Sequence, residues 1–150
     1  MGVRDYTILF LLLETGIIAN ELIGISVDDI CCEDSTILIR NTKGHRERLV
    51  LFQSKMKTQL KKYLVIRGQC DTDSLFVTLE NTPLSKWQLQ NRVSYYGKKA
   101  KINNVRVSCH TFRHTFAKIS VKQGAGIFEL QQILGHTSME IGPSLCESLL

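Results

Sequence analysis

A run of consecutive apolar side chains near the start of the chain, residues 8–13, constrains the fold more than any other feature. Residues 3–14 carry apolar positions all round, as a helix enclosed by a protein core does. The run is far shorter than the roughly 20 residues that cross a bilayer, and Glu14 interrupts it, so it predicts neither a membrane span nor a signal peptide. We therefore predict a core helix that ends at Thr15-Gly16 and around which the other elements pack.

The remaining pattern predicts a mainly helical α+β domain. The β-branched segments 36–39 and 48–52 flank Lys43-Gly44, which predicts a β-hairpin, and residues 74–78 predict a third strand. A short helix over Glu21–Ile25 and a turn capped by Ser26 precede the hairpin. Further helices are predicted over residues 55–66, 83–101, 109–123 and 127–135. A chain of 150 residues is long enough for one domain, a helical body with a small three-stranded antiparallel sheet over residues 1–150.

The charge distribution suggests a polyanionic partner. Residues 1–40 are acidic overall, whereas residues 43–67 are strongly basic and residues 86–122 contain no acidic residue at all. Neutralisation of phosphates dominates nucleic-acid affinity, although lysines on ordinary solvated helices give the same composition. The five cysteines have no repeated spacing, so we expect reduced thiols in a cytoplasmic protein.

The feature that carries chemistry is His110-Thr111-Phe112-Arg113-His114, followed downstream by Leu134-Gly135-His136. On a helix His110 and Arg113 lie one turn apart on one face, where a guanidinium and an imidazole can both bind a phosphodiester. Two other interpretations stay open. The histidines and Arg113 can be structural, or His110 and His114 can ligate a metal, although neither the glutamate of H-E-x-x-H nor a third ligand is evident.

The order of these parts resembles the catalytic domain of the tyrosine recombinases, the phage-integrase family. Residues 15–22 resemble the T-G-x-R-x-x-E-L box, residues 41–48 resemble the basic hairpin of the family, and residues 108–117 and 133–138 are similar to its two histidine-containing signatures. The resemblance covers residues 3–141. It implies DNA integration and recombination through a 3′-phosphotyrosyl link, with no metal or other cofactor.

The resemblance also implies a role for each matched residue. Arg113 would hold the scissile phosphate, His110 and His136 would hydrogen-bond it, and Lys43 would protonate the leaving 5′ oxygen as a general acid. The double-stranded DNA would be bound by basic side chains of the hairpin and of the helices predicted over residues 83–101 and 109–123. These predicted DNA-binding residues are Lys43, Arg46, Arg48, Lys98, Lys99, Lys101 and Arg113.

Two positions depart from the family pattern. Ile18 stands where the T-G-x-R box has arginine, and Leu145 stands where the family has its tyrosine nucleophile. Isoleucine supplies neither charge nor hydrogen bond, and losing one donor to a developing oxyanion costs about 10²–10³ in rate. Leucine cannot form a covalent intermediate. We therefore expect this chain to be unable to recombine DNA by itself.

Residues 142–150 diverge from the family pattern. They can be encoded by DNA in which deletion of one base restores a tyrosine at position 145, so we hypothesise a frameshifted tail that the encoding DNA would confirm or exclude. We also expect the N-terminal core-binding domain of the family to be absent.

Three functions remain open from the sequence. The first is weak, salt-sensitive DNA binding by a domain inactive in cis. The second is catalysis inside a homo- or hetero-oligomer of recombinase subunits that supplies the tyrosine, and the third is a non-enzymatic DNA-binding or oligomer-partner remnant of a mobile-element integrase. No membrane partner is expected.

Overall fold

A computed structural model describes residues 1–41, 46–102 and 105–124 of the chain. In that part the chain forms five α-helices and three β-strands. The helices are α1 (Val3–Thr15), α2 (Ala19–Ile23), α3 (Ser54–Arg67), α4 (Lys86–Lys99) and α5 (Cys109–Lys122). The strands are β1 (Ile30–Cys31), β2 (Thr36–Asn41) and β3 (Arg46–Leu51). The predicted α+β, mainly helical class is confirmed.

Helix α1 is the core helix that the apolar run predicts. It packs against both α3 and α5, and Ile8, Leu11 and Leu12 are almost fully buried. The prediction of burial all round was too strong, because Leu13 is exposed on the remaining side. Gly16 ends the helix with a left-handed φ of 68° and donates its N–H to the Leu12 carbonyl, a conformation that glycine adopts without steric cost.

The sheet has the order β1-β2-β3, and both pairs are antiparallel. The hairpin pairs Thr36 with Leu51 and continues to Asn41 opposite Arg46. Ile37, Ile39 and Val50 face the core, while Leu49 and Leu51 of the alternate face are exposed. This alternation fixes the register, because a shift of one residue would reverse the two faces.

The predicted third strand was wrong, although the number of strands was right. Residues 74–78 form only isolated bridges, Ser26 with Ser74 and Val77 with Pro83, and the third strand is instead β1. The reason is that side chains of α3 bind this segment's backbone. The Tyr63 hydroxyl donates to the Leu75 carbonyl at 2.9 Å, and Arg67 donates to the Ser74 carbonyl at 2.7 Å.

Helix boundaries differ slightly from the predicted ones. α2 begins at Ala19 instead of Glu21, because the Glu21 carboxylate accepts the Ile18 N–H and so fixes the first turn. α4 begins after Ser85, whose hydroxyl accepts the Gln88 N–H. The helix predicted over residues 127–135 lies outside the described residues.

Membrane spans and disulfides, neither of which the sequence predicts, were looked for in the described part of the chain. Among residues 1–41, 46–102 and 105–124, no helix is long and apolar enough to span a membrane. The cysteines described there, Cys31, Cys32, Cys70 and Cys109, are free thiols.

Candidate phosphate-binding site

Helix α5 is positioned by its first residues. Ser108 caps it, with its hydroxyl accepting the Thr111 N–H at 3.3 Å, and Thr111 returns a hydrogen bond to the Arg106 carbonyl at 2.6 Å. These bonds satisfy backbone groups that a helix terminus leaves open. They fix the start of α5, the turn that carries His110 and leads to Arg113.

Arg113 is buried where α5 packs against α1, with an exposed side-chain fraction of 2%. One terminal nitrogen, Nη1, donates to the Gly16 carbonyl at 2.8 Å and lies 3.9 Å from Glu21 Oε1. Burial lowers the pKa of Arg113 to about 10, an effect that Arg48 increases and Glu21 opposes. The guanidinium therefore remains charged at neutral pH, in a fixed orientation.

Glu21 joins a second guanidinium to the first. Its carboxylate is also buried, and both of its oxygens accept hydrogen bonds from the terminal nitrogens of Arg48 on β3. The same carboxylate accepts the Ile18 N–H at 3.0 Å. Arg48, Glu21 and Arg113 thus form one cluster, which we call the arginine–glutamate cluster, with a formal charge of +1 from two cations and one anion.

Ile18 lies at this cluster, at the N-terminal boundary of α2 and next to the loop that Arg113 contacts. The position where the family pattern has arginine therefore supplies only a backbone N–H to Glu21. That half of an arginine clamp is missing here stays a prediction.

The two histidines of α5 differ in their surroundings. His110 is exposed at the first turn, whereas His114 is partly buried. Burial lowers the pKa of His114, and the nearby Lys118 and His110 lower it further. His110 is the more exposed of the two imidazoles, and it lies one helical turn from Arg113. Within the described residues, no group of three His, Cys, Asp or Glu side chains forms a metal-binding cluster.

A basic edge adjoins the start of α5. It consists of exposed side chains at the end of α4 and in the segment that follows it, Lys98, Lys99, Lys101 and Arg106. The end of α4 is close to α5 because the Gly97 backbone approaches Val107 so tightly that an added Cβ would lie 2.5 Å from Val107 Cβ. Lys98, Lys99 and Lys101 are predicted DNA contacts, and Arg106 belongs to the same basic block of the sequence but was not among them.

The other predicted residues are placed less fully. Lys43, His136 and Leu145 lie outside the described residues, and only the backbone of Arg46 is described. Whether the hairpin tip and His136 converge on Arg113 therefore stays a prediction. The guanidinium of Arg48 forms an ion pair with Glu21, and its predicted contact with DNA stays a prediction.

Sequence reasoning assigned no role to Glu21 or Asp5. Glu21 belongs to the T-G-x-R-x-x-E-L box. A buried glutamate requires a cation as its partner, but the sequence does not show which residue supplies that cation. Asp5 is held by side chains distant in sequence. The Tyr96 hydroxyl donates to it at 2.6 Å, and Arg92 donates at 3.1 Å. No local pattern indicates these contacts.

Comparison with known proteins identifies the family. The phage integrase family model matches residues 1–142. The chain is 39% identical over 137 residues to tyrosine recombinase XerA of Saccharolobus solfataricus, an alignment that covers 91% of this chain and 43% of that protein. It is 34% identical over 144 residues to tyrosine recombinase XerC of Thermodesulfovibrio yellowstonii, covering 91% of this chain and 47% of the relative.

Solved structures agree with this result. A crystal structure of XerA recombinase superposes with a TM-score of 0.87 at 32% identity, covering 95% of this chain and 53% of the other. XerH bound to its difH substrate has the same fold, with a TM-score of 0.83 at 23% identity, covering 96% and 42%. The chain spans about half the length of the relatives that it matches. From the matched model and the shared fold it follows that the chain belongs to the phage integrase family, the tyrosine recombinases.

Proposed function

We propose that this domain binds double-stranded DNA through its phosphodiesters, as the catalytic domain of an integrase or site-specific recombinase. The observation that carries the proposal is the fixed, charged Arg113, on the same helix as the exposed His110; the basic edge adjoins the start of that helix. A buried guanidinium in low dielectric binds an anion more strongly than one in water does. The solved XerH structure with its difH substrate supports DNA as the ligand by analogy.

The exposure of the basic side chains indicates the order in which they would contact DNA. Lys98, Lys99 and Lys101 are exposed and can capture the backbone of a duplex from solution. The side chain of Arg113 is only 2% exposed, so direct contact with a phosphate requires the groups that cover it to move. Lysines supply affinity without sequence information, whereas a planar arginine fork orients one phosphate.

We further propose that this domain does not cleave DNA by itself. In the family the reaction transfers the 3′ phosphate to a tyrosine hydroxyl while the 5′ oxygen takes up a proton, and Leu145 at the tyrosine position has no oxygen to attack with. Ile18 removes one cation from the transition state. Lys43 and His136, whose predicted roles are the general acid and a phosphate ligand, cannot replace a nucleophile.

Electrophoretic mobility shifts over a salt series test the binding proposal. We expect weak binding at low salt and a slope of about −0.9 in log affinity against log salt for each phosphate neutralised. Changing Lys98, Lys99 and Lys101 together to Gln weakens binding by about tenfold or more and flattens the slope. A matched control changes Lys61 and Lys62 of α3, which are also exposed, and changes the affinity less. Equal losses in both variants, or no binding at low salt, would contradict the proposal.

A nicked suicide substrate tests the cleavage proposal. Such a substrate traps covalent protein–DNA adducts, so wild-type protein is expected to give none on a denaturing gel. The Ile18→Arg variant restores a cation at the arginine–glutamate cluster and should tighten DNA binding by about tenfold, as one charge-assisted contact does, without forming an adduct. An adduct from the wild-type chain would show that another residue attacks the phosphate.

A further inference from the structure

A cavity of about 730 Å³ lies on the side of the domain where α1 begins. Its walls come from four parts of the fold: the first turn of α1, the last turn of α3, residues 77–81 and α4. Arg113, Glu21 and His110 are not among the described residues that line it. The cavity is therefore separate from the candidate phosphate-binding site, and its size falls within the roughly 300–1,000 Å³ of pockets that hold small molecules.

Three arginines line the cavity and give it a positive charge. Two of them share the Asp5 carboxylate, whose oxygens lie 2.8 Å from Arg4 and 3.1 Å from Arg92. Arg67 donates to backbone carbonyls, the shortest of these bonds at 2.7 Å, and no carboxylate contacts it in the described part of the chain. The lining residues thus include three cations and two anions, Asp5 and the exposed Glu80, which leaves a formal charge of +1.

Two side chains of α4 keep hydrogen-bond donors for a ligand. Arg92 is held in place through Nε, which donates to Asp5 at 3.1 Å, and through Nη2, which donates to the Tyr96 hydroxyl at 3.0 Å. No described residue accepts a hydrogen bond from its Nη1, so the two N–H groups there remain for a ligand. The Gln88 oxygen accepts the Ser85 N–H at 2.9 Å, which leaves the amide nitrogen of Gln88 as another donor. Donors beside a positive charge favour an anionic group.

Apolar side chains form another part of the wall. Leu84 is buried, whereas Ile66 and Leu79 are 62% and 96% exposed. A tight turn holds Leu79 in that exposed position, because the Thr78 N–H donates to the Thr82 carbonyl at 2.8 Å. Covering apolar side chains that are fixed in water is favourable, so this wall favours a ligand with an apolar body.

We propose that this cavity binds a small organic anion that carries an apolar chain or ring, such as a medium-chain carboxylate. Its anionic group would contact Arg92 and Gln88. Its apolar body would cover Ile66 and Leu79. An inorganic anion would leave the apolar wall in water, and a neutral hydrocarbon would leave the donors without an acceptor. The inference goes beyond the proposed function and does not depend on DNA binding.

Fluorescence of anilinonaphthalene sulfonate, an aromatic monoanion that brightens in apolar surroundings, tests the inference on the folded full chain. We expect saturable binding of one dye per chain, with a dissociation constant on the order of tens of micromolar. Octanoate should displace the dye. Octanol, which has the same chain without the charge, should displace it at least about tenfold less well. Acetate, which has the charge without the chain, should be at least about a hundredfold weaker than octanoate. Equal displacement by octanoate and octanol, or no saturable binding, would overturn the inference.

Substitutions of the charged wall locate the binding site. Arg92→Met removes a cation that contacts the ligand and should weaken octanoate binding by about tenfold. Arg40→Met is the matched control, because Arg40 of β2 also pairs with a buried aspartate, Asp29, and does not line the cavity. It should leave the affinity for octanoate within about twofold of wild type, because its charge is exposed and screened.

A substitution of the apolar wall tests the other half of the ligand. Leu79→Ser should weaken octanoate binding by about fivefold, and it leaves the core intact because Leu79 is almost fully exposed. Leu51→Ser is its control, since Leu51 of β3 is 74% exposed and does not line the cavity. Urea unfolding shows that each variant is folded under the assay conditions. Equal losses in the cavity variants and their controls, or displacement of the dye by a short DNA duplex, would overturn the inference.

Discussion

Replacing Gly97 by alanine tests whether close contact between α4 and the segment before α5 positions the basic edge. Gly97 is buried in α4, and a Cβ built there would lie 2.5 Å from Val107 Cβ and 2.9 Å from Val107 Cγ2. Contacts this short do not occur between carbon atoms, so either the Val107 segment or the helix must move. The contact also brings the end of α4, which carries Lys98 and Lys99, close to the segment that precedes α5.

The magnitude follows from two opposing effects. Alanine in a helix interior is favoured over glycine by roughly 0.5–1 kcal/mol. Overpacking in a well-packed site costs about 1–3 kcal/mol. The difference predicts that Gly97→Ala lowers the free energy of unfolding by about 1 kcal/mol, which shifts the urea midpoint down by about 0.5 M for a typical denaturant slope.

Urea unfolding followed by circular dichroism measures this effect. Val107→Gly combined with Gly97→Ala should lose less stability than the two single changes added together, because it removes the opposing Cβ. Val107→Ala would not relieve the clash, since its Cβ remains. Gly24→Ala is the matched control, because its Cβ would meet only backbone oxygens at 3.3 and 3.6 Å. A Gly97→Ala variant more stable than wild type would refute the reasoning.

Three further predictions concern stability and reactivity. Burial alone would raise the pKa of Asp5, but hydrogen bonds from Tyr96 and Arg4 outweigh burial and lower it below 3.8. The stabilisation by Asp5 is therefore complete above about pH 5, and it is lost progressively as the pH falls below 3.8 through the lower pKa of the folded state. Asp5→Asn should therefore cost about 2 kcal/mol in urea unfolding at neutral pH and less at about pH 3, and equal costs would contradict this. Burial raises the pKa of Cys109 to about 11, so only about one thiol in a thousand is ionised at about pH 8, and a thiol reagent should modify Cys109 only after unfolding. Tyr63→Phe removes the hydroxyl that binds residues 75 and 77 and should cost about 1–2 kcal/mol, with an unchanged urea midpoint as the contrary result.

Local patterns in the sequence were sufficient for most of the described fold. The apolar run predicted α1, and the β-branched segments on either side of Lys43-Gly44 predicted the hairpin. Both predictions were possible because the periodicity of a helix or a strand appears in the spacing of apolar residues along the local sequence. The pattern failed for residues 74–78, which look like a strand. Their hydrogen-bond partners are side chains of α3 and two separate backbone segments, and nothing within five residues of sequence indicates that.

The sequence by itself also indicated the family, through the motifs of residues 108–117 and 133–138, and it predicted the helix that carries His110 and Arg113 one turn apart. Only the tertiary structure decided which charges surround Arg113. Gly16 and Arg113 are 97 positions apart, and Glu21 and Arg48 are 27 apart, yet packing of α5 on α1 and of the sheet beside α2 brings them together. The physical reason is that burial strengthens a charge interaction regardless of sequence separation, so the electrostatics of this site depend on the packing of the fold and not on any motif.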